Sequence, residues 1–313
     1  MSYFGIGTVV REFRERVNMT QVKLCENICE PSTLCKIENG SLSPSKKMLD
    51  KIVQKLNIPL ALNIPVTASE FRRAELENEI RSCFSRDEPD VSNLLNEYNG
   101  KSKTGVKRPM DKLEKQFYLY ANGIYLCNSQ KEYEKALSEL KEAIKITFPN
   151  YTEKYFLNSH ILFPIEFSII NNIAICYYRL KALDNAIFIM QQLLQCLENK
   201  KMCTEELPKK YPMIAYNLSM WLGLQKQYEK SLSVSQKGID CCLKYQQYSS
   251  LSDLFYNHGY TLIMLNKKEK GKEFIEKSLT FDSIIGRNDR LKNSKKDIEQ
   301  SFGIDFFSTL KML

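Results

Sequence analysis

The chain has 313 residues, a formal net charge of +8, and only 12 glycines and 10 prolines. That length can bury a sizeable core and points to two domains. No run of eighteen apolar residues occurs and Met1-Ser2-Tyr3 has no signal-peptide core, so a soluble, cytoplasmic protein without membrane contact is expected. Leu, Lys, Glu, Asn and Ile abound, and no Asn-Gly or Asp-Gly hairpin lies between alternating strands, so the fold reads all-α. The chain has no P-loop, no G-x-S-x-G, and no carboxylate pair or histidine cluster of catalytic spacing, which speaks against an enzyme and against a cofactor.

The first informative elements lie between Met19 and Leu56. Thr20 is a natural N-cap, leaving Val22, Leu24 and Ile28 to pack inward. Ser32, with Pro31 beside it, opens a second helix whose Leu34 and Ile37 share the buried face, and Gly40 ends it through a left-handed cap. Ser45 then starts an apolar-periodic helix running to Leu56. The layout is a helix-turn-helix whose second helix can enter a major groove. Residues 1–66 hold nine Lys/Arg against six Asp/Glu, a mild bias compatible with phosphate contacts. The ten cysteines are scattered through predicted helices without paired metal spacing and read as reduced core residues. Cys25, Cys29 and Cys35 suggest a zinc trio, but the two histidines, His160 and His258, lie far off in sequence, so no metal site is expected.

Residues 67–110 follow as a linking segment. Ser69 to Phe84 is a charged amphipathic helix, Asn99 to Pro109 a Gly/Lys-rich loop, and the stretch has room for a degenerate first repeat. From about residue 111 to 286 the apolar pattern recurs in helix pairs. The second helix of each pair begins at Tyr133, Leu183, Tyr228 or Lys268. Ala136, Ala186, Ser231 and Gly271 then form a column of small residues, with Ile124, Ala174, Ser219 and Gly259 twelve residues upstream. Small side chains let two helices approach closely where they cross. The first three pairs resemble the tetratricopeptide (TPR) repeat, and the fourth does so more loosely.

That register exposes a column not used to set it: Asn122, Asn172, Asn217 and Asn257. With 22 asparagines in the chain, a given column is all Asn by chance at about 0.07 to the fourth power, or roughly one in a thousand over all columns. An Asn amide offers donor and acceptor together and can pair with a peptide backbone whatever its side chains. Asn171, Tyr216 and Tyr256 one position earlier, and Tyr125 and Tyr260 three later, would add amphipathic pockets. The competing reading is that the asparagines satisfy neighbouring carbonyls and the tyrosines are ordinary inter-repeat core. Arg287 to Lys296 reads as a polar break. An amphipathic final helix ending in Phe302, Phe306, Phe307 and Leu310 follows it, and residues 287–313 as a whole are suited to capping the array and joining a second subunit.

The pattern T-Q-x-x-L … S-x-x-S-x-I-E-x-G, here from Thr20 to Gly40, resembles the Xre/Cro-like repressors, with Cys35 at the second serine and a turn one residue shorter than usual. An Xre-like domain joined to a TPR array resembles the peptide-pheromone-responsive regulators (the Rap, Rgg, NprR, PlcR and PrgX group), with a layout most like the PlcR-type transcriptional regulators. That resemblance implies a TPR-like superhelix, double-stranded operator DNA and a short signalling peptide as partners, and a role in quorum sensing. By the motif match, Pro31, Ser32, Thr33 and Lys36 face the major groove and Gln21 lies near a phosphate. A two-fold homodimer on an inverted repeat is expected. A TPR interaction or dimerisation protein that carries a DNA-binding domain and senses no peptide is the alternative.

Overall fold

The computed structural model describes residues 6–42, 44–57, 68–85, 90–101, 109–154, 161–199 and 207–303. These residues form fifteen α-helices and no strand. They fall into two compact units, one holding the described residues through Ile189 and the other those from Met190 onward.

The first unit opens with α1 (Ile6–Arg16), α2 (Gln21–Cys25), α3 (Pro31–Glu38) and α4 (Lys46–Leu56). Thr20 caps α2 as expected, its Oγ accepting from the Lys23 amide at 3.2 Å, and Ser45 caps α4 by accepting from Met48 at 3.4 Å. Helix α3 starts one residue earlier than read from sequence. Pro31 takes its first position behind Glu30, because a proline there forgoes an amide that no helix turn would use. Gly40 ends α3 at φ +74°, as expected. Val10, Phe13, Leu24, Leu34, Ile52 and Leu56 close the core. Val22 does not join them and is 63% exposed. Two residues before Leu24, it sits about 200° round the helix and so points away from the face Leu24 buries. Gly7 marks where α1 crosses α3: a Cβ there would lie 1.8 Å from the Ile37 carbonyl oxygen.

Helices α5 (Ala68–Ser85) and α6 (Ser92–Tyr98) pack on each other, and α6 packs on α7, a shortened helix pair ahead of the repeats. Arg73, buried on α5, reaches Glu114 on α7 at 2.6 Å, and the Tyr98 hydroxyl donates to Glu77 at 2.8 Å. Most of the expected loop up to Pro109 lies outside the described residues. Then come α7 (Lys112–Tyr125, continued by a π turn over Leu126–Gln130), α8 (Tyr133–Thr147), α9 (Pro164–Arg179) and α10 (Leu183–Glu198). The chain goes on with α11 (Leu207–Leu224), α12 (Tyr228–Tyr245), α13 (Leu251–Met264), α14 (Lys268–Ile284) and α15 (Asn288–Phe302).

Helices α8, α10, α12 and α14 begin at the four residues named from sequence. The small-residue columns lie at helix crossings. Ser231 Oγ donates to the Ser219 carbonyl at 2.7 Å where α12 meets α11. At the next crossing a Cβ on Gly259 would stand 2.7 Å from the Gly271 carbonyl oxygen, and one on Gly271 2.7 Å from that of Gly259. The expected polar break at Arg287–Lys296 is instead most of α15. Leu291, Ser294, Ile298 and Phe302 turn inward at helical spacing while the charges take the outer face, so polarity there marks a solvated helix side. Phe306, Phe307 and Leu310 lie outside the described residues. Seven of the described cysteines are buried, Cys29 is half-buried, and Cys35 is exposed on α3, unlike the core role read for it. Among the described residues no helix is long and apolar enough to cross a membrane.

Candidate functional site

The outer face of α3 carries Ser32, Cys35, Lys36 and Asn39 exposed, with Pro31 and Thr33 half-buried beside them. Leu34 and Ile37 anchor the opposite face. Of the residues named from sequence for DNA contact, four therefore share one accessible helix side. Gln21 does not stand free: its amide donates to Glu38 Oε2 at 2.8 Å.

Glu38, buried at the end of α3, organises this region. Arg14 grips it with two hydrogen bonds, Nε to Oε1 at 2.7 Å and Nη2 to Oε2 at 3.0 Å, and Arg14 also donates to the Met19 carbonyl. Arg11 adds bonds to the Glu38 carbonyl at 3.2 Å and to the Asn39 side chain. Burial pushes the Glu38 carboxyl up, but the hydrogen bonds from Arg14 and Gln21 and the charges of Arg14 and Arg11 outweigh it and hold it below the usual range. This hub fixes α1, α2 and α3 against one another. In the sequence Glu38 is only a letter of the motif; Arg14, 24 residues away in the same domain, carried no local signal.

A second hub went unread. Arg16, the last residue of α1, is wholly buried and donates to Glu166 Oε1 on α9 at 2.8 Å and to the Ile161 carbonyl. Its guanidinium lies over Phe13 at 4.4 Å and Phe148 at 4.7 Å. Phe13 meets Phe163 edge-on at 4.4 Å, and Asn150 donates to the Arg16 carbonyl at 3.0 Å. The Pro164-Ile165-Glu166 sequence is a helix-start signal, which could have located Glu166 though not its partner.

The asparagine column behaves alike in both units. In the first, Tyr118, Asn122 and Tyr125 on α7, and Ser168, Asn172 and Ile175 on α9, form half-buried stripes one helix turn apart. In the second, Met213, Asn217 and Met220 on α11, and Asp253, Asn257 and Tyr260 on α13, do the same. The residue after each Asn is buried in every case. Several of these amides already have partners. Asn122 bonds Glu139, Asn172 donates to the Ser168 carbonyl at 2.8 Å, and Asn257 donates to the Tyr216 carbonyl and Ser219 Oγ, both at 3.2 Å. Asn171 is only 5% exposed, with its Oδ1 unpartnered, so it belongs to the core side of α9. Tyr125 accepts from Gln130 at 2.8 Å, Tyr256 donates to Asp297 of α15, and Tyr260 packs on Phe302 at 5.2 Å. Tyr216 is half-buried.

The Cys25 and Cys29 sulfurs approach to 3.7 Å, with Cys25 pushed up to about 12 by burial and by the neighbouring thiol, which suits a protonated core residue. His258 is buried against Ser235 and Phe274. No group of potential metal ligands occurs among the described residues.

Two family profiles match the chain, the RNPP family C-terminal domain over residues 151–287 and a helix-turn-helix family over residues 10–63. No curated protein matches it. Among solved structures, Bacillus thuringiensis PlcR in complex with the peptide PapR7 and DNA is 21% identical with a TM-score of 0.58, covering 93% of this chain and 98% of that one. The apo form of PlcR is 19% identical with the same TM-score, covering 93% and 99%. A Rap protein complexed with Competence and Sporulation Factor is 13% identical with a TM-score of 0.51, covering 96% of this chain and 78% of that one. These likenesses show a shared fold. Along the chain, the region matching a helix-turn-helix family thus lies ahead of the region matching the RNPP family C-terminal domain.

Proposed function

We propose that this protein is a quorum-sensing transcriptional regulator that reads operator DNA through α3 and binds a short signalling peptide along the asparagine stripe. The observation that carries the reading is the joining, in one chain, of an accessible helix-turn-helix face to a half-open Asn position repeated on α7, α9, α11 and α13. Ser32, Thr33 and Lys36 contact bases, Pro31 shapes the approach, and Gln21 supports the phosphate contact while bracing α3 through Glu38. Asn122, Asn172, Asn217 and Asn257, with Tyr125 and Tyr216, take the peptide. Asn171, Tyr256 and Tyr260 support the stripe from positions already engaged in the fold. Functionally the chain divides into residues 1–66 for DNA, 67–110 as a linking segment, 111–286 for the peptide and 287–313 as a capping and dimerisation segment. It works in the cytoplasm as a homodimer, with regulation and no catalysis as its role.

The second reading, a repeat domain that dimerises and senses nothing, draws on the amides of Asn172 and Asn257 being spent on backbone carbonyls of their own chain. Two experiments separate them. Selection from a random duplex pool should yield an inverted repeat, and Lys36→Ala should lose about 1–3 kcal/mol at one base-pair position. Calorimetry with synthetic short peptides encoded beside the gene should give binding that Asn217→Ala weakens by about 1–3 kcal/mol. Equal peptide affinity in wild type and variant would make the asparagines structural and favour the second reading.

A further inference from the structure

We infer that Arg16 and Glu166 form a clamp through which α9 sets the orientation of the DNA-reading helix. The inference rests on the groove reading above only in taking the Asn172 side of α9 as the ligand side.

The physical path is short and every link lies in the first unit. Two of the three arginines of α1, Arg14 and Arg16, stand two residues apart. Arg14 holds Glu38 at the end of α3, and Arg16 holds Glu166 in the first turn of α9. Both carboxylates are buried. Glu166 is saturated: Oε1 accepts from Arg16, and Oε2 accepts from the Phe163 amide at 2.9 Å, which caps α9. The docking acceptor and the helix cap are thus one group, so the start of α9 cannot shift without carrying the end of α1. Around the pair the packing is continuous, since Phe163 belongs to the same hydrophobic core as Val10, Phe13 and Leu34 of the helix-turn-helix, and Ile165 packs against it. Asn172 stands six residues beyond Glu166, about 9 Å further along the same helix.

A wholly buried ion pair is weak as a source of stability, because desolvating both charges offsets most of their attraction. What it supplies is a single geometry: an apolar contact slides, whereas a two-bonded guanidinium wedged between two rings does not. A load on the Asn172 face of α9 therefore reaches α3 through Glu166, Arg16, the last turn of α1, Arg14 and Glu38. Packed elements move as discrete bodies, which is what such a linkage needs.

The test is a double-mutant cycle on the full chain, read by amide hydrogen exchange, with no ligand or DNA required. The load is Asn172→Tyr, with Asn172→Ala as a milder second load. The clamp is removed by Arg16→Met with Glu166→Gln, which takes away both charges of the buried pair and keeps an acceptor for the Phe163 amide, and Glu12→Gln is added to both backgrounds because Glu12 also contacts Arg16 at 3.5 Å. In the background that keeps the clamp each load should change exchange in α1 and α3 by about threefold or more. In the clamp-free background the change should fall below about 1.5-fold, while exchange in α12 and α13 stays put in all variants. Equal changes in the two backgrounds, or none where the clamp is kept, would overturn the clamp. A wild type that selects no DNA and binds no peptide would instead overturn the proposed function and leave this result standing.

Discussion

Two buried carboxylates, one in each unit, show what saturation does to a charge inside a protein. Glu166 and Asp282 are both fully buried, and both face an arginine. Glu166 spends one oxygen on Arg16 and the other on a backbone amide. Asp282 has Arg290 Nε at 3.3 Å, yet neither of its oxygens makes a hydrogen bond, and Arg290 reaches Asp253 as well. Burial alone is equal in the two places; the hydrogen bonds are not. A saturated buried ion defines geometry, whereas an unsaturated one is a standing cost that the surrounding fold must absorb.

The largest effect should come from unsettling the saturated site. Glu166→Gln keeps the shape and the helix cap but takes from the buried Arg16 its 2.8 Å partner, leaving only the longer 3.5 Å contact with half-buried Glu12. Removing one partner of such a pair costs about 3–5 kcal/mol. Segment-resolved hydrogen exchange in urea should show that loss in α1 and the start of α9. A loss below about 1 kcal/mol would mean that water enters the site, and the contrast with Asp282 would dissolve.

The same contrast explains what the sequence disclosed. Helix starts were legible because they depend on near neighbours: Thr20 and Ser45 as caps, Gly40 as a stop, and the small residues whose crossings let α11 and α12, or α13 and α14, touch. The accessible side of α3 was legible for the same reason, since helical period places Lys36 opposite Leu34 and Ile37. Long-range pairing was not. Arg16 and Glu166 are 150 residues apart, and nothing near either names the other. Composition misled twice: apolar Val22 points to solvent because α2 is too short to bury two faces, and the charged run after Arg287 is a helix because only one side of it need be apolar. The asparagine column was visible from register, but its partners were not, and Asn257's bonds to Tyr216 and Ser219 are properties of packing.

A second, smaller effect should separate the units by pH. His258 lies in the unit that holds Asp282, and burial lowers it from 6.5 to about 4, with the charge of Asp240 opposing and that of Lys277 adding to the shift. A histidine depressed in the folded state binds its proton more readily when unfolded. Its contribution is therefore complete above about pH 6.5 and is lost as pH falls toward 4. The span corresponds to about 3 kcal/mol at most. Trp221, the single tryptophan, is buried in α11 of that unit and reports its unfolding by fluorescence. Denaturation at pH 7 and pH 4.5 should show the loss in wild type and a flatter response in His258→Gln. Asp253, raised by burial, changes with pH in the opposite sense, so the difference between the two proteins is the quantity to read. Parallel curves would mean that His258 is charged in the fold.

The smallest effect is the sharpest test of saturation, because it repeats the Glu166→Gln exchange of one oxygen for an amide nitrogen at the other carboxylate. Asp282→Asn removes a buried charge that accepts no hydrogen bond, while Arg290 keeps its contact with Asp253. No acceptor in use is lost, and the desolvation cost of the charge disappears. Stability read through Trp221 should then stay within about 1 kcal/mol of wild type or rise, against the several kcal/mol lost at Glu166. If Asp282→Asn cost as much as Glu166→Gln, the ionic contact at 3.3 Å would be holding α15 to α14 without hydrogen bonds, and charge rather than saturation would be the common principle of the two sites.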